Sequence, residues 1–159
     1  KDIAVPLSTL YSHNTKTIDS NAPRLAFVRN AVQIKLQGDF PKVGEISSHS
    51  ETNMPPRKYM IDDVVWIEKE DSGKSIRLKD LCDIDLDGIV ESIDRSDKRS
   101  VVHWVANGKA SKLTIADGQN IDIIEGILED NSHPIGTIVQ LERIGYAIIE
   151  ENGLIMVHD

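Results

Sequence analysis

The sequence predicts an all-β protein, and three observations carry that expectation. Apolar and polar residues alternate at period two in segment after segment, turn signals recur at intervals of about eight to twelve residues, and no window of a dozen residues holds an apolar stripe at helical spacing. The alternation runs through Val32, Ile34 and Leu36, then Ile76 and Leu78, Ile84 and Leu86, Leu113 and Ile115, and Val139 and Leu141. Successive side chains of an extended chain point to opposite faces, so each segment reads as a strand with one buried face. Between the segments stand Gln37-Gly38-Asp39, Asp71-Ser72-Gly73, Asn107-Gly108, Asp117-Gly118 and Asn152-Gly153, the residue types that tight turns demand. Short strands joined by hairpins, without alternating helices, predict antiparallel barrels or a sandwich; closure into barrels would also remove exposed strand edges.

The chain has 159 residues of which 40% are hydrophobic, enough to bury one sizeable core or two small ones side by side. Residues 44–57, which include Pro55-Pro56, break every regular pattern and are expected to connect two such units. Lys1 is neither an initiator methionine nor the start of a charged-then-apolar leader, so the chain is expected to be a piece of a longer protein. A single cysteine, Cys82, excludes an internal disulfide framework and a multi-cysteine zinc site and fits a reducing compartment, the cytoplasm by default. No run approaches the roughly 20 apolar residues of a spanning helix, so no membrane partner is expected.

A net charge of -8 and a pI near 5.1 argue against diffuse attraction to phosphate. The basic residues nevertheless bunch, as Arg24 with Arg29, Arg57-Lys58, Lys74 with Arg77 and Lys79, and Arg95 with Lys98-Arg99, which leaves room for a confined basic surface.

Several motifs resemble chemistry and fail on context. Asp83, Asp85, Asp87, Gly88 and Glu91 fit the calcium loop of an EF-hand, with Asp94 in place of its final Glu. That loop requires flanking helices, whereas Ser75-Ile76-Arg77-Leu78-Lys79 alternates as a strand; the plain alternative is two strands whose solvent faces carry Asp83, Asp85 and Asp87, separated near Gly88. Gly73-Lys74-Ser75 looks like the end of a phosphate-binding loop, but Glu68 stands where its first glycine belongs, and a carboxylate there would repel phosphate. His13, His49, His103, His133 and His158 show no ligand spacing, and His103 beside Trp104 reads as a strand residue packed near an indole. No nucleophile-and-base arrangement is supported by spacing. No catalytic residue and no metal ligand is therefore expected in this chain.

Four segments together resemble one family. They are Asn21-Ala22-Pro23-Arg24-Leu25-Ala26-Phe27-Val28 with the strand that follows it, Gly73-Lys74-Ser75-Ile76-Arg77-Leu78-Lys79-Asp80, Val101-Val102-His103-Trp104-Val105, and 136–146, Gly-Thr-Ile-Val-Gln-Leu-Glu-Arg-Ile-Gly-Tyr. In this order they resemble the C-terminal anticodon-binding region of the glutaminyl-tRNA and archaeal/eukaryotic-type glutamyl-tRNA synthetases, over nearly the whole chain. The resemblance implies two antiparallel β-barrels packed together with exchanged strands. Residues 1–20 would end a connector to a catalytic half, 21–55 with 121–159 would form the first barrel, and 56–120 the second. It implies tRNA as partner, together with the protein's own N-terminal catalytic domain, which would use ATP and magnesium to attach glutamate; this chain would bind neither. The family's catalytic signatures are absent, and His133-Pro134-Ile135-Gly136 only mimics one of them.

By matched position, Arg24 and Gln140 would contact anticodon bases, above all the middle uracil; a guanidinium and an amide can each make paired hydrogen bonds to a base edge. Arg143, three residues past Gln140, joins them only if the strand twists or bulges. Arg77 and Lys79, two apart in one strand, would turn two cations towards RNA, the plain alternative being a solvated face. The glutaminyl enzymes carry a longer segment with a basic pair before the Gly-Lys strand, absent here, which favours the glutamyl branch. The alternatives are the glutaminyl enzyme of the same architecture and a calcium- or protein-binding β-domain using the acidic stretch 83–94.

Overall fold

A computed structural model describes residues 22–47, 55–94 and 98–157; the expected connector, 1–20, lies outside them. Its regular elements are fifteen strands and one short 3-10 turn, Lys69–Asp71, so the fold is all-β. The strands are β1 (Arg24–Leu25), β2 (Phe27–Arg29), β3 (Ala31–Lys35), β4 (Val43–Ile46), β5 (Arg57–Met60), β6 (Val64–Glu68), β7 (Ile76–Leu78) and β8 (Cys82–Ile84). They continue with β9 (Val90–Ser92), β10 (Val101–Val102), β11 (Gly108–Asp117), β12 (Asn120–Glu129), β13 (Ile138–Leu141), β14 (Gly145–Glu150) and β15 (Gly153–Met156). No helix among the described residues is long and apolar enough to cross a membrane.

Seven strands form one sheet in the order β1-β13-β14-β15-β11-β12-β2. Its two edges, β1 and β2, are neighbours in the chain with only Ala26 between them, so the sheet must curl until its edges nearly meet. Ala26 is fully buried at that seam: its N–H donates to Glu129 Oε1 at 2.9 Å, and its carbonyl accepts from the Glu129 N–H at 3.0 Å. The inward face is filled by Leu25, Phe27, Leu113, Val139, Leu141 and Leu154 among others.

The remaining strands build a second, smaller barrel. Strand order β10-β7-β8-β9 makes one sheet and β3-β6 another, and two isolated bridges tie them together, Gln37 to Ile89 and Trp66 to Val105. The ring β3, β6, β10, β7, β8, β9 thereby closes around Val65, Ile67, Ile76, Leu78, Cys82 and Ile84. The hairpin β4-β5 packs against it, with Tyr59 edge-on to Trp104 at 5.3 Å between ring centres. The chain enters the larger sheet as β1 and β2, turns at Asn30 (φ 49°) into the smaller barrel, and returns as β11 to β15.

The pairings cut across two expectations from sequence. With 21–55 and 121–159 assigned to one barrel and 56–120 to the other, β3 falls apart from β6 and β11 from β12, yet each pair is joined residue by residue. Asp117-Gly118, read as a turn near the boundary, is the tip of one long hairpin. Residues 44–57 were expected to join two units; instead Val43–Ile46 pairs with Arg57–Met60, so the segment between them connects a single hairpin.

Gly126 sits where β12 passes β2 at the seam, and a Cβ there would lie 2.2 Å from the Val28 carbonyl oxygen and 2.8 Å from the Phe27 ring. Backbone cannot yield there without breaking the β12-β2 ladder. Gly126→Val is expected to destabilise the chain by about 3 kcal/mol or more, read as a lower urea midpoint.

Candidate nucleic-acid interface

Arg24 and Gln140 come together because β1 and β13 run parallel with these two residues in register. Arg24 Nε donates to Gln140 Oε1 at 3.2 Å, and the backbone holds the pair from below, Gln140 N–H to the Pro23 carbonyl at 2.8 Å and Glu142 N–H to the Leu25 carbonyl at 3.0 Å. The bond leaves most of the guanidinium donors of Arg24 and the amide NH₂ of Gln140 uncommitted by it.

Arg143 reaches the same place by leaving the strand. β13 ends at Leu141, and Arg143 occupies the following turn in the left-handed region, φ 65°, so strand alternation no longer governs its direction. Arg24, Gln140, Arg143 and Lys79 line one cleft of about 270 Å³, with Val101, Val102, His103 and Glu142 as its other walls. Lys79 is anchored through its backbone, its N–H on the Val102 carbonyl at 3.0 Å and its carbonyl accepting from the Trp104 indole at 2.9 Å, while its ammonium is held by Glu142.

Arg77 does not join them. Its Nε donates to Asp83 Oδ1 at 2.7 Å and its Nη2 to Asp83 Oδ2 at 3.2 Å, with Arg99 3.7 Å from the same carboxylate. The shared-face expectation for Arg77 and Lys79 fails to bring them together because each is drawn to a different carboxylate. Asp83 itself, expected on a solvent face, is fully buried, since every residue of β8 is covered. The acidic stretch is therefore two strands, as the plain alternative holds, but with Asp83 turned inward. Asp85 spends Oδ1 on the N–H groups of Asp87 and Ile89, closing the turn. Among the described residues no group of three or more His, Cys, Asp or Glu side chains is placed to hold a metal ion.

Behind the cleft lie buried polar residues that sequence spacing did not reveal. Arg143 Nη1 donates to Asp71 Oδ2 at 2.9 Å and to His103 Nδ1 at 3.2 Å. An arginine can only donate, so Nδ1 accepts and the imidazole proton sits on Nε2, which faces the Phe27 carbonyl at 2.9 Å and Glu68 Oε2 at 3.4 Å. Glu68 receives Nε of Arg29 at 2.6 Å, Nη2 at 2.9 Å and the Arg29 backbone N–H at 3.0 Å. Burial works to raise the Glu68 carboxyl, but the bonds from His103 and Arg29 outweigh it and hold it down at about 2. A second network joins Lys79, Glu142, Arg57 and Glu129, with Arg57 between the two carboxylates at 2.9 and 2.8 Å. Burial there pushes Glu129 up, beyond what Arg57 and the Ala26 N–H offset, whereas Glu142, also penalised by burial, is held low by Arg57 and Lys79 together.

Guanidinium and amide donors held on a rigid β scaffold, around an open cleft, define a β-barrel binding domain. Residues 22–105 match the family described as tRNA synthetases class I (E and Q), anti-codon binding domain, and the chain belongs to that family. Similar curated proteins include the glutamate-tRNA ligase of Methanothrix thermoacetophila, 30% identical over 96% of this chain and 29% of the relative. The glutamate-tRNA ligase of Thermococcus kodakarensis is 28% identical over 94% of this chain and 30% of its own length. That of Thermoplasma volcanium is 31% identical over 85% of this chain and 26% of its own. The chain thus spans about three tenths of the first two relatives' length.

Because the Glu68 carboxyl is lowered on folding, its contribution is present above the ordinary value of 4.5 and is lost as pH falls through about 2. Urea midpoints taken from pH 7 to pH 2 should fall in that window. Glu68→Gln should cost about 2–3 kcal/mol at neutral pH and flatten the acid limb of the same curve.

Proposed function

We propose that this chain reads the anticodon of a glutamate-accepting tRNA as part of a glutamate-tRNA ligase, with Arg24, Gln140 and Arg143 making the base contacts and Lys79 beside them. The observation that carries the reading is the convergence of these four side chains on one cleft in a chain of the anticodon-binding family. The names of the similar proteins favour the glutamyl over the glutaminyl branch. In this reading the activation of glutamate with ATP and magnesium belongs to a catalytic domain elsewhere in the protein, working in the cytoplasm. Arg77, tied to Asp83, supports the shape of the smaller barrel instead of touching RNA.

An unstacked base that enters the cleft meets donors from two sides, Arg24 and Gln140 along the paired strands and Arg143 from the turn. Uracil offers two carbonyl oxygens and one N–H on its edge; the carbonyls suit the arginines, and the N–H suits the Gln140 carbonyl oxygen. A cytosine in its place presents an amino group to donors and leaves them unmet, which is the basis of selectivity.

The test is binding of a glutamate-tRNA anticodon stem-loop against the same loop with its middle uracil changed to cytosine, at low salt. The wild-type chain is expected to prefer uracil by at least about tenfold, and Arg24→Ala and Gln140→Ala should each remove most of that preference. Base-indifferent binding by the wild-type chain would sink the reading.

A further inference from the structure

Asp71 stands behind the cleft and His103 forms part of its wall; both are buried, and their bonds converge on Arg143. The guanidinium has five N–H donors in one plane. Nη1 spends one on Asp71 Oδ2 at 2.9 Å and the other on His103 Nδ1 at 3.2 Å; Nη2 turns one towards Asp71 Oδ1 at 3.4 Å. The two donors left are Nε–H and the outer N–H of Nη2, which lie parallel on one edge of the plane. Such a fork suits the lone pairs of a carbonyl oxygen or a neighbouring pair of acceptors.

We propose that Asp71 and His103 are positioning residues which hold the Arg143 guanidinium so that this fork faces the base in the cleft. The inference rests on the anticodon reading above and assigns its selectivity in part to two residues that touch no RNA. An arginine on an exposed turn samples many rotamers, and ordering it at the moment of contact weakens the contact; a guanidinium already fixed avoids that cost. The fixing is itself anchored. His103 cannot rotate without losing the Phe27 carbonyl and the Glu68 side chain, and Glu68 is gripped by Arg29 in the larger sheet. Asp71 ends the 3-10 turn that follows β6, so the two residues that hold Arg143 are both set by the smaller barrel, while Arg143 belongs to the larger one.

The test uses the whole chain and the same pair of stem-loops, with the ratio of their dissociation constants as readout and thermal unfolding to confirm that each variant folds. Asp71→Asn keeps the shape but retains only one acceptor, and His103→Gln can keep one of the two ring bonds but not both in place. Each is expected to lower the uracil-over-cytosine ratio by about tenfold, the same loss expected of Arg143→Ala, and Asp71→Asn added to Arg143→Ala should lower it no further. That last equality is what a merely structural role would not produce. Should the wild-type chain show no preference, the anticodon reading falls and this inference with it. Should Arg24→Ala and Gln140→Ala abolish the preference while a folded Asp71→Asn or His103→Gln keeps it within about twofold, the anticodon reading stands and the positioning role is overturned. Additive losses in the double variant overturn it equally.

Discussion

The carboxylate of Glu68 joins the two barrels. It stands at the end of β6 in the smaller barrel and takes three hydrogen bonds from Arg29 at the end of β2 in the larger, in nearly complete burial. Taking a carboxylate out of water is costly unless paired donors surround it, and here a bidentate guanidinium, a backbone N–H and an imidazole do so. Because a planar fork accepts only a narrow range of approach, the bond helps fix the angle at which the two barrels meet, together with the apolar cluster of Ala26, Val28 and Val105 beside it. Everything in the cleft inherits that angle, since Arg24, Gln140 and Arg143 come from one barrel and Lys79, His103 and Val102 from the other.

The same principle explains how so acidic a chain presents cations in one place. Most of the arginines grouped in the sequence are tied to carboxylates: Arg29 to Glu68, Arg57 to Glu129 and Glu142, Arg77 to Asp83, and Arg99 to Asp83 and Glu91. Those pairs neutralise charge inside the fold and add little field outside it. At the cleft Arg143 and Lys79 are also paired, with Asp71 and Glu142, but Arg24 shares a neutral amide and Arg143 keeps one edge of its guanidinium open. Selectivity built from a few directional donors tolerates a net negative surface in a way that diffuse phosphate attraction would not.

Period-two alternation made the strands legible, and it did so wherever one face is buried and the other wet, as in Ile76 with Leu78 or Val139 with Leu141. It misled at Asp83, because β8 is covered on both faces and an aspartate there can face inward once Arg77 and Arg99 reach it. It gave Arg143 the wrong side, because the strand ends two residues earlier and a positive φ resets direction. Arg24 and Gln140 were readable only through resemblance; nothing local links residues 116 apart in the chain. Glu68, Asp71 and His103 left no signal of these bonds, since their partners lie 35 or more residues away and no spacing rule connects them. Of the expected turns, Asp117-Gly118 and Asn152-Gly153 close hairpins, whereas Gln37-Gly38-Asp39, Asp71-Ser72-Gly73 and Asn107-Gly108 join strands that do not pair with each other, because a turn alone does not say which sheet its strands enter.

The order in which the chain visits the two barrels bears on how it can fold. The opening strands β1 and β2 find their partners only in β13 and β12, after the whole smaller barrel has been threaded, and closing so long a loop from an unfolded chain is entropically slow. The smaller barrel is drawn from one uninterrupted stretch between those partners, and β6 brings the two ends of that stretch together, pairing Gln33 with Trp66 on one side and bridging Trp66 to Val105 on the other. Once it has formed, the effective separation between β2 and β11 shrinks from about half of the chain to a few residues. A smaller barrel formed first thereby acts as a folded clasp that turns the remote β1-β13 and β2-β12 pairings into near-local ones.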